Sequence, residues 1–270
     1  MSDLYVLPGS RGAFRVYAGI VLCFLVVPAL IVVPVSLSSG SIIAFPLPGL
    51  SGHWYAEALG STAWRQALAN SLIIGSGATA LATLLGVSGA FGIDRLSPRS
   101  GAMVAIVTLL PFLIPVVLIA LGGYLAFALL GLNNSYLGVV ILHAVMGLPF
   151  VVISVGASLR GFDRNLWRAA SGLGAPPSVA FRRIVLPLIL PGVLTGAVFA
   201  FAISFDEVVV ASFVTSPTQR TLPLYMFAGI KENTGPIVTA VATLLLLLAG
   251  CFLVSVEILQ RRSARLRSKE

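Results

Sequence analysis

Charged residues break this chain only at wide intervals. No Asp, Glu, Lys or Arg occurs in residues 16–56, 66–93, 100–159, 184–205 or 233–256. Each of these stretches exceeds the roughly 20 residues that cross a bilayer as a helix. Apolar side chains occupy every face within them, so the pattern is neither the single stripe of a surface helix nor the alternation of a barrel strand. Six transmembrane helices are predicted, over Phe14–Val35, Ala67–Ile93, Ala102–Leu130, Tyr136–Leu159, Leu188–Val214 and Ile237–Leu259. The 60-residue uncharged stretch 100–159 is too long for one span, and the turn-forming run Gly131-Leu132-Asn133-Asn134-Ser135 divides it.

Composition agrees with the pattern. Hydrophobic residues make up 58% of the 270 positions and charged ones only 10%, well below the roughly 25% charge of soluble domains. A soluble enzyme, a disordered chain and a nucleic-acid-binding domain are excluded. The net charge of +8 is too dilute for nucleic acid, and its placement sets an orientation instead. Arg11, Arg15, Arg95, Arg99, Arg160, Arg164, Arg168, Arg182, Arg183, Arg261, Arg262, Arg265, Arg267 and Lys269 fall on one side of the six spans; Arg65, Arg220 and Lys231 fall on the other. Basic loops stay in the cytoplasm, so both termini and residues 160–187 are expected there. The first span is longer than a signal-peptide core and is expected to be an uncleaved anchor. The predicted organisation is an N-terminal segment with the first span and an external stretch (1–66), a core of five spans (67–260) and a basic tail (261–270).

Gly86, Gly89 and Gly92 on the second span, and Gly192 and Gly196 on the fifth, are candidates for close helix contact. Cys23 and Cys251 lie in apolar runs and read as small hydrophobes. No metal site is expected.

Residues 160–187 carry the most information. Asp163 or Asn165 is placed to cap a short helix reaching about Ser171, Gly172 and Gly174 to end it, and Pro176 or Pro177 to open a second short helix. Leu166, Trp167, Ala170 and Leu173 would form one apolar stripe. Within this loop Ala169-Ala170, Gly174 and Ile184-x-Leu186-Pro187 match the pattern Glu-Ala-Ala-x-x-x-Gly-x9-Ile-x-Leu-Pro of ATP-binding-cassette importer permeases. Arg168 stands where that pattern has Glu. The chain thus resembles a binding-protein-dependent inner-membrane permease over about residues 67–258. Asn70-Ser71-Leu72, His143 and Leu148-Pro149-Phe150-Val151 add to the likeness, and Ser204-Phe205-Asp206-Glu207-Val208-Val209-Val210-Ala211 is similar to the second permease subunit of the spermidine/putrescine branch.

The resemblance implies the all-α type I importer permease (MetI-like) fold in the bacterial cytoplasmic membrane. It implies a pore subunit and not an enzyme, with Arg168, Ala169, Ala170, Gly174, Ile184, Leu186 and Pro187 coupling it to an ATPase. Its partners would be a second permease subunit, two ATPase subunits, an extracytoplasmic solute-binding protein and membrane lipid. The chain has no Gly-x4-Gly-Lys-[Ser/Thr] phosphate loop, so ATP and Mg are expected on the partner ATPase and no cofactor on this chain. The solute implied is a polyamine or a related cationic or amino-acid-like molecule.

Asp206 and Glu207 are the acidic pair inside a predicted span. At 1.5 Å per residue they lie about 27 Å from Leu188, near the external end. They are candidates for the solute pathway, with a structural pairing as the alternative. Neighbours on a helix point about 100° apart, so at most one would face a pore. His143 reads as a hydrogen-bonded packing residue, and Pro111, Pro115 and Pro149 as possible kinks. Two rival functions exist. Gly86-Val87-Ser88-Gly89 with His143 fits the motif of a rhomboid-like intramembrane serine protease, and six spans alone fit a self-contained secondary transporter.

Overall fold

The computed structural model describes residues 10–231 and 235–251. Its described residues are helical, with no strand beyond an isolated bridge between Ser38 and Leu50. They fall into two compact units, one of residues 63–227 and one joining the chain before 63 to the chain after 227.

The terminal unit begins with α1 (Ser10–Ser36), an apolar helix exposed along most of its length. The chain then folds back on itself: the Ser39 amide donates to Gly49 (3.0 Å) and the Ser51 amide to Leu37 (2.7 Å). The Trp54 indole N–H donates to the Ser38 carbonyl at 2.9 Å, fixing the short helix α2 (His53–Gly60) to this turn.

The central unit opens with α3 (Thr62–Arg95). Ser97 caps α4 (Pro98–Leu113), with Pro98 in its first turn, where a missing N–H is harmless. The predicted third span, Ala102–Leu130, is not one straight helix. It bends by 100° between α4 and α5 (Val116–Leu130). Pro115 forces Ile114 out of the helical region, to φ −85° and ψ 128°, as proline does to the residue before it. Gly131, left-handed at φ 67°, ends α5, and Ser135 caps α6 (Tyr136–Arg160) by accepting from the Gly138 amide. Pro149 sits inside α6 without ending it.

After α6 come α7 (Arg164–Gly172) and α8 (Pro177–Ala180). A π-helical turn, Phe181–Val185, then joins α8 to α9 (Leu186–Asp206). The predicted fifth span, Leu188–Val214, therefore starts earlier and stops earlier than expected. Helix continues from Pro177 to Asp206, and the remainder is a separate short helix, α10 (Val209–Val214). A 3-10 turn at Pro217–Gln219 leads to α11 (Leu222–Lys231).

Among the described residues, Phe14–Ser36, Thr62–Arg95, Tyr136–Arg160 and Pro177–Asp206 are long and apolar enough to span a membrane, and the bent pair α4–α5 adds a fifth if it counts as one span. The predicted sixth span, Ile237–Leu259, is described only as the apolar helix α12 (Ile237–Cys251); the rest, and the basic tail 261–270, lie outside the described residues.

The centre of the 63–227 unit is a contact of α3, α6 and α9. Ala78, Ala82, Val151, Val155, Ile189 and Ala200 are buried there. Glycine permits the approach: a Cβ on Gly196 would lie 2.7 Å from the Val151 Cα, and one on Gly86 would lie 2.6 Å from the Val151 Cβ. Gly192 meets the Ser154 carbonyl in the same way, at 2.7 Å. Gly92, by contrast, faces open space, so the predicted glycine ridge on the second span touches a neighbour along only part of its length. A second cluster joins α3, α5, α6 and α10 through Ile74, Phe127, Val139, Leu142 and Val210.

Candidate functional site

The segment between α6 and α9 is built as its turn chemistry demands. The Asp163 carboxylate accepts from the Asn165 amide (2.9 Å) and caps α7. Three amides close the other end: Leu173 donates to Ala169, Gly174 to Ser171 and Ala175 to Ala170, at 3.0–3.1 Å. This ending requires Gly174 at φ +80°, a conformation closed to most side chains. Pro176, extended at ψ 149°, then admits Pro177 as the first residue of α8.

The predicted apolar stripe of α7 divides in two. Ala170 is buried and Trp167 packs with Phe162 and Phe181 against the α3–α6–α9 core. Leu166 and Leu173 instead face outward, Leu173 at 89% exposure. On the helix Ala170 lies between Leu166 (i, i+4) and Trp167 (i, i+3), so the packed edge of the stripe runs through Trp167 and Ala170 and Leu166 stands on its outer edge, while Leu173 follows Gly172, the last residue of α7. Of the seven coupling candidates, Arg168, Ala169, Gly174 and Pro187 are exposed, Ile184 and Leu186 are half-buried, and Ala170 is buried. Two contacts tie α7 to the end of α3. Arg164 Nη2 lies 2.7 Å from Asp94 Oδ1, and the Arg95 guanidinium sits 5.8 Å from the centre of the Trp167 ring. Phe91 and Phe181 add an edge-to-face contact at 5.4 Å. None of these partners on α3 stood out in the sequence, because they lie about 70 residues from the motif.

Asp206 and Glu207 do not share a helix. Asp206 is the last residue of α9, exposed, and makes no hydrogen bond or ion pair with any described residue. Glu207 is extended, at φ −78° and ψ 119°, and its Oε1 accepts from the Val210 amide at 2.9 Å. The expectation that they point 100° apart along one helix is replaced by a break. One carboxylate is free, and the other satisfies an orphan N–H at the start of α10. Neither bonds Arg220.

Farther along, the chain after α10 is clasped by Asn70, a residue whose partners the sequence did not reveal. Its amide nitrogen donates to the carbonyls of Thr218 and Arg220, both at 2.9 Å. Its oxygen accepts from Gln66 Nε2 (3.0 Å) and the Tyr136 hydroxyl (2.7 Å). Asn70 is 1% exposed, and all four of its hydrogen-bonding capacities are used. With the two bonds to Thr218 and Arg220, Ser71 makes a third tie by accepting from the Leu222 amide at 2.7 Å. The loop between α10 and α11 is thereby held to α3.

His143 is buried, and its Nδ1 lies 2.9 Å from Ser204 Oγ, linking α6 to α9. This is the packing role expected of it. Ser88 instead donates to the Leu84 carbonyl of its own helix at 2.8 Å. Ser88 and His143 are thus each committed elsewhere, and the two residues of the protease motif do not pair.

Residues 82–265 match the family described as "Binding-protein-dependent transport system inner membrane component". The chain is 32% identical over 253 residues to the spermidine/putrescine transport system permease protein PotC of Escherichia coli (strain K12), covering 93% of this chain and 94% of that one. It is 31% identical over 248 residues to the putrescine transport system permease protein PotI of the same strain, covering 89% and 88%. The fold is similar to the crystal structure of a bacterial ABC transporter involved in the import of the acidic polysaccharide alginate, with a TM-score of 0.73 at 16% identity, over 96% of this chain and 99% of that one. The protease and secondary-transporter readings find no support in these relatives. The family match over more than half the chain, with relatives above 30% identity across most of it, establishes that the chain belongs to the binding-protein-dependent transport permeases of the bacterial inner membrane.

Proposed function

We propose that the chain is one permease subunit of an ATP-driven importer of polyamines or a related cationic solute. The observation that carries this reading is the similarity to PotC and PotI, both polyamine permeases by name, along about nine-tenths of the chain. The free Asp206 carboxylate supports it, since a cationic solute needs an anionic contact and Glu207 is already engaged.

In this reading the chain pairs with a second permease subunit and receives its solute from an extracytoplasmic binding protein. ATP and Mg are held by two ATPase subunits, and the chain itself binds no cofactor and no nucleic acid. Residues 160–187 form the ATPase contact, with Leu166, Leu173 and the motif residues Arg168 to Pro187 at the junction. The exposed apolar side chains Leu166 (43%) and Leu173 (89%) suit a protein partner, which would remove them from water. The charge asymmetry of the loops puts this segment and both termini in the cytoplasm. ATP binding draws the ATPases together, the loop helices follow, and the pore alternates its access.

The test is to express the chain together with candidate permease, ATPase and binding-protein subunits from its own source and purify the assembly. Mass spectrometry of the retained solute is expected to find spermidine or putrescine. Transport of an anionic or uncharged solute, with no response to polyamines, would overturn the substrate assignment. Failure of any ATPase to co-purify would overturn the coupling assignment.

A further inference from the structure

A pocket lies between the end of α3, the end of α6 and α7, and its charge does not balance. Three guanidiniums line it, those of Arg95, Arg164 and Arg168, against the single carboxylate of Asp94. Asp94 is taken by Arg164 at 2.7 Å. Arg95 is steadied over the Trp167 ring but meets no carboxylate, and Arg168 has no partner among the described residues. Two positive charges therefore remain. The rest of the wall is apolar and aromatic, from Phe91, Phe162 and Trp167.

The setting narrows what such a pocket takes. α3 and α6 are long apolar helices that end here, at Arg95 and Arg160. Arginine and tryptophan at the ends of apolar helices favour the headgroup level of a bilayer, and Arg95, Arg160 and Trp167 meet that description here. An anion that brings apolar surface with it satisfies both halves of the wall. A free phosphate satisfies only the arginines. We propose that this pocket binds the phosphate of an anionic membrane lipid between Arg95 and Arg168, its glycerol and acyl ends lying on the aromatic wall. The lipid would then bridge the end of α3 to α7, beside the Asp94–Arg164 ion pair. Basic pockets between spans on the cytoplasmic side commonly hold acidic headgroups.

The experiment uses the full chain in detergent, titrated with phosphatidylglycerol, phosphatidylcholine or inorganic phosphate and followed by native mass spectrometry. Phosphatidylglycerol is expected to bind in preference to phosphatidylcholine. Arg95→Gln and Arg168→Gln should each weaken it about 5-fold, from the attraction of one basic residue to an acidic headgroup, and together about 25-fold. Arg168→Lys should keep most of the binding, and Arg99→Gln, outside the pocket, should change nothing. Equal binding of the two lipids, or a double variant that binds as the parent does, would overturn the proposal. Inorganic phosphate competing at the lipid's own affinity would overturn the lipid assignment. So would variants that lose ATPase association while still binding phosphatidylglycerol, since the arginines would then serve the protein partner.

Discussion

Neutralising Asp206 should move stability and transport in opposite directions. Asp206 closes α9 at its C-terminus and has no partner among the described residues. The C-terminal end of a helix carries partial negative charge, so a carboxylate there is destabilising by about 0.3–1 kcal/mol. Asp206→Asn keeps the shape, removes the charge and should raise thermal stability slightly. If Asp206 meets a cationic solute, the same change removes a charged hydrogen bond of about 1.5–3 kcal/mol, or about 10- to 150-fold in uptake at low substrate. Glu207 should behave otherwise. Its Oε1 accepts from the Val210 amide at 2.9 Å. Glu207→Gln retains an acceptor and should be mild, whereas Glu207→Ala leaves the amide unpaired and should cost about 0.5–2 kcal/mol of stability. The assays are radiolabelled spermidine or putrescine uptake by the reconstituted complex and thermal unfolding of the purified assembly. Asp206→Asn that transports at the parental rate below saturation would refute the reasoning. Loss of stability together with transport in that variant would also refute it, because it would make Asp206 structural.

Gly174, at φ +80° with open space around its missing Cβ, should be limited by backbone strain alone. Uptake per ATP hydrolysed is expected to fall in the order Gly, Asn, Val at this position, because Asn tolerates the left-handed region and a β-branched residue does not; equal coupling in all three would remove the need for this turn. Asn70→Ala breaks four hydrogen bonds at a residue 1% exposed. It should destabilise by about 2–4 kcal/mol and speed hydrogen exchange in residues 216–222, while Asn70→Asp, which sets a carboxylate against two carbonyls, should be no better. Gly196→Val must displace the Val151 backbone and is expected to lower the yield of folded protein in size-exclusion profiles by a cost of about 3 kcal/mol. Gly92→Ala meets nothing within 4 Å and should leave that profile unchanged.

Membrane class, helical content and the family were legible in the sequence, because each rests on local or one-dimensional signals. A 20-residue apolar run has nowhere to go but a bilayer. The order Asp163, Gly174, Pro177 punctuates a helix pair by chemistry that acts within a few residues. Tertiary structure decided the rest. Pro115 was readable only as a kink within one third span, and the 100° bend it makes depends on how α5 packs against α6 and α10. The division of Asp206 from Glu207 could not be read from two adjacent acids in an apolar run, since it depends on where α9 stops and α10 starts. Asn70 finds its partners 148 and 150 residues away, and Arg164 finds Asp94 at a separation of 70. Such pairs leave no periodic trace along the chain. Hydrophobic burial is non-directional and shows in composition, whereas a hydrogen bond or ion pair needs its two atoms within about 3 Å, and only the folded packing of the helices brings them there.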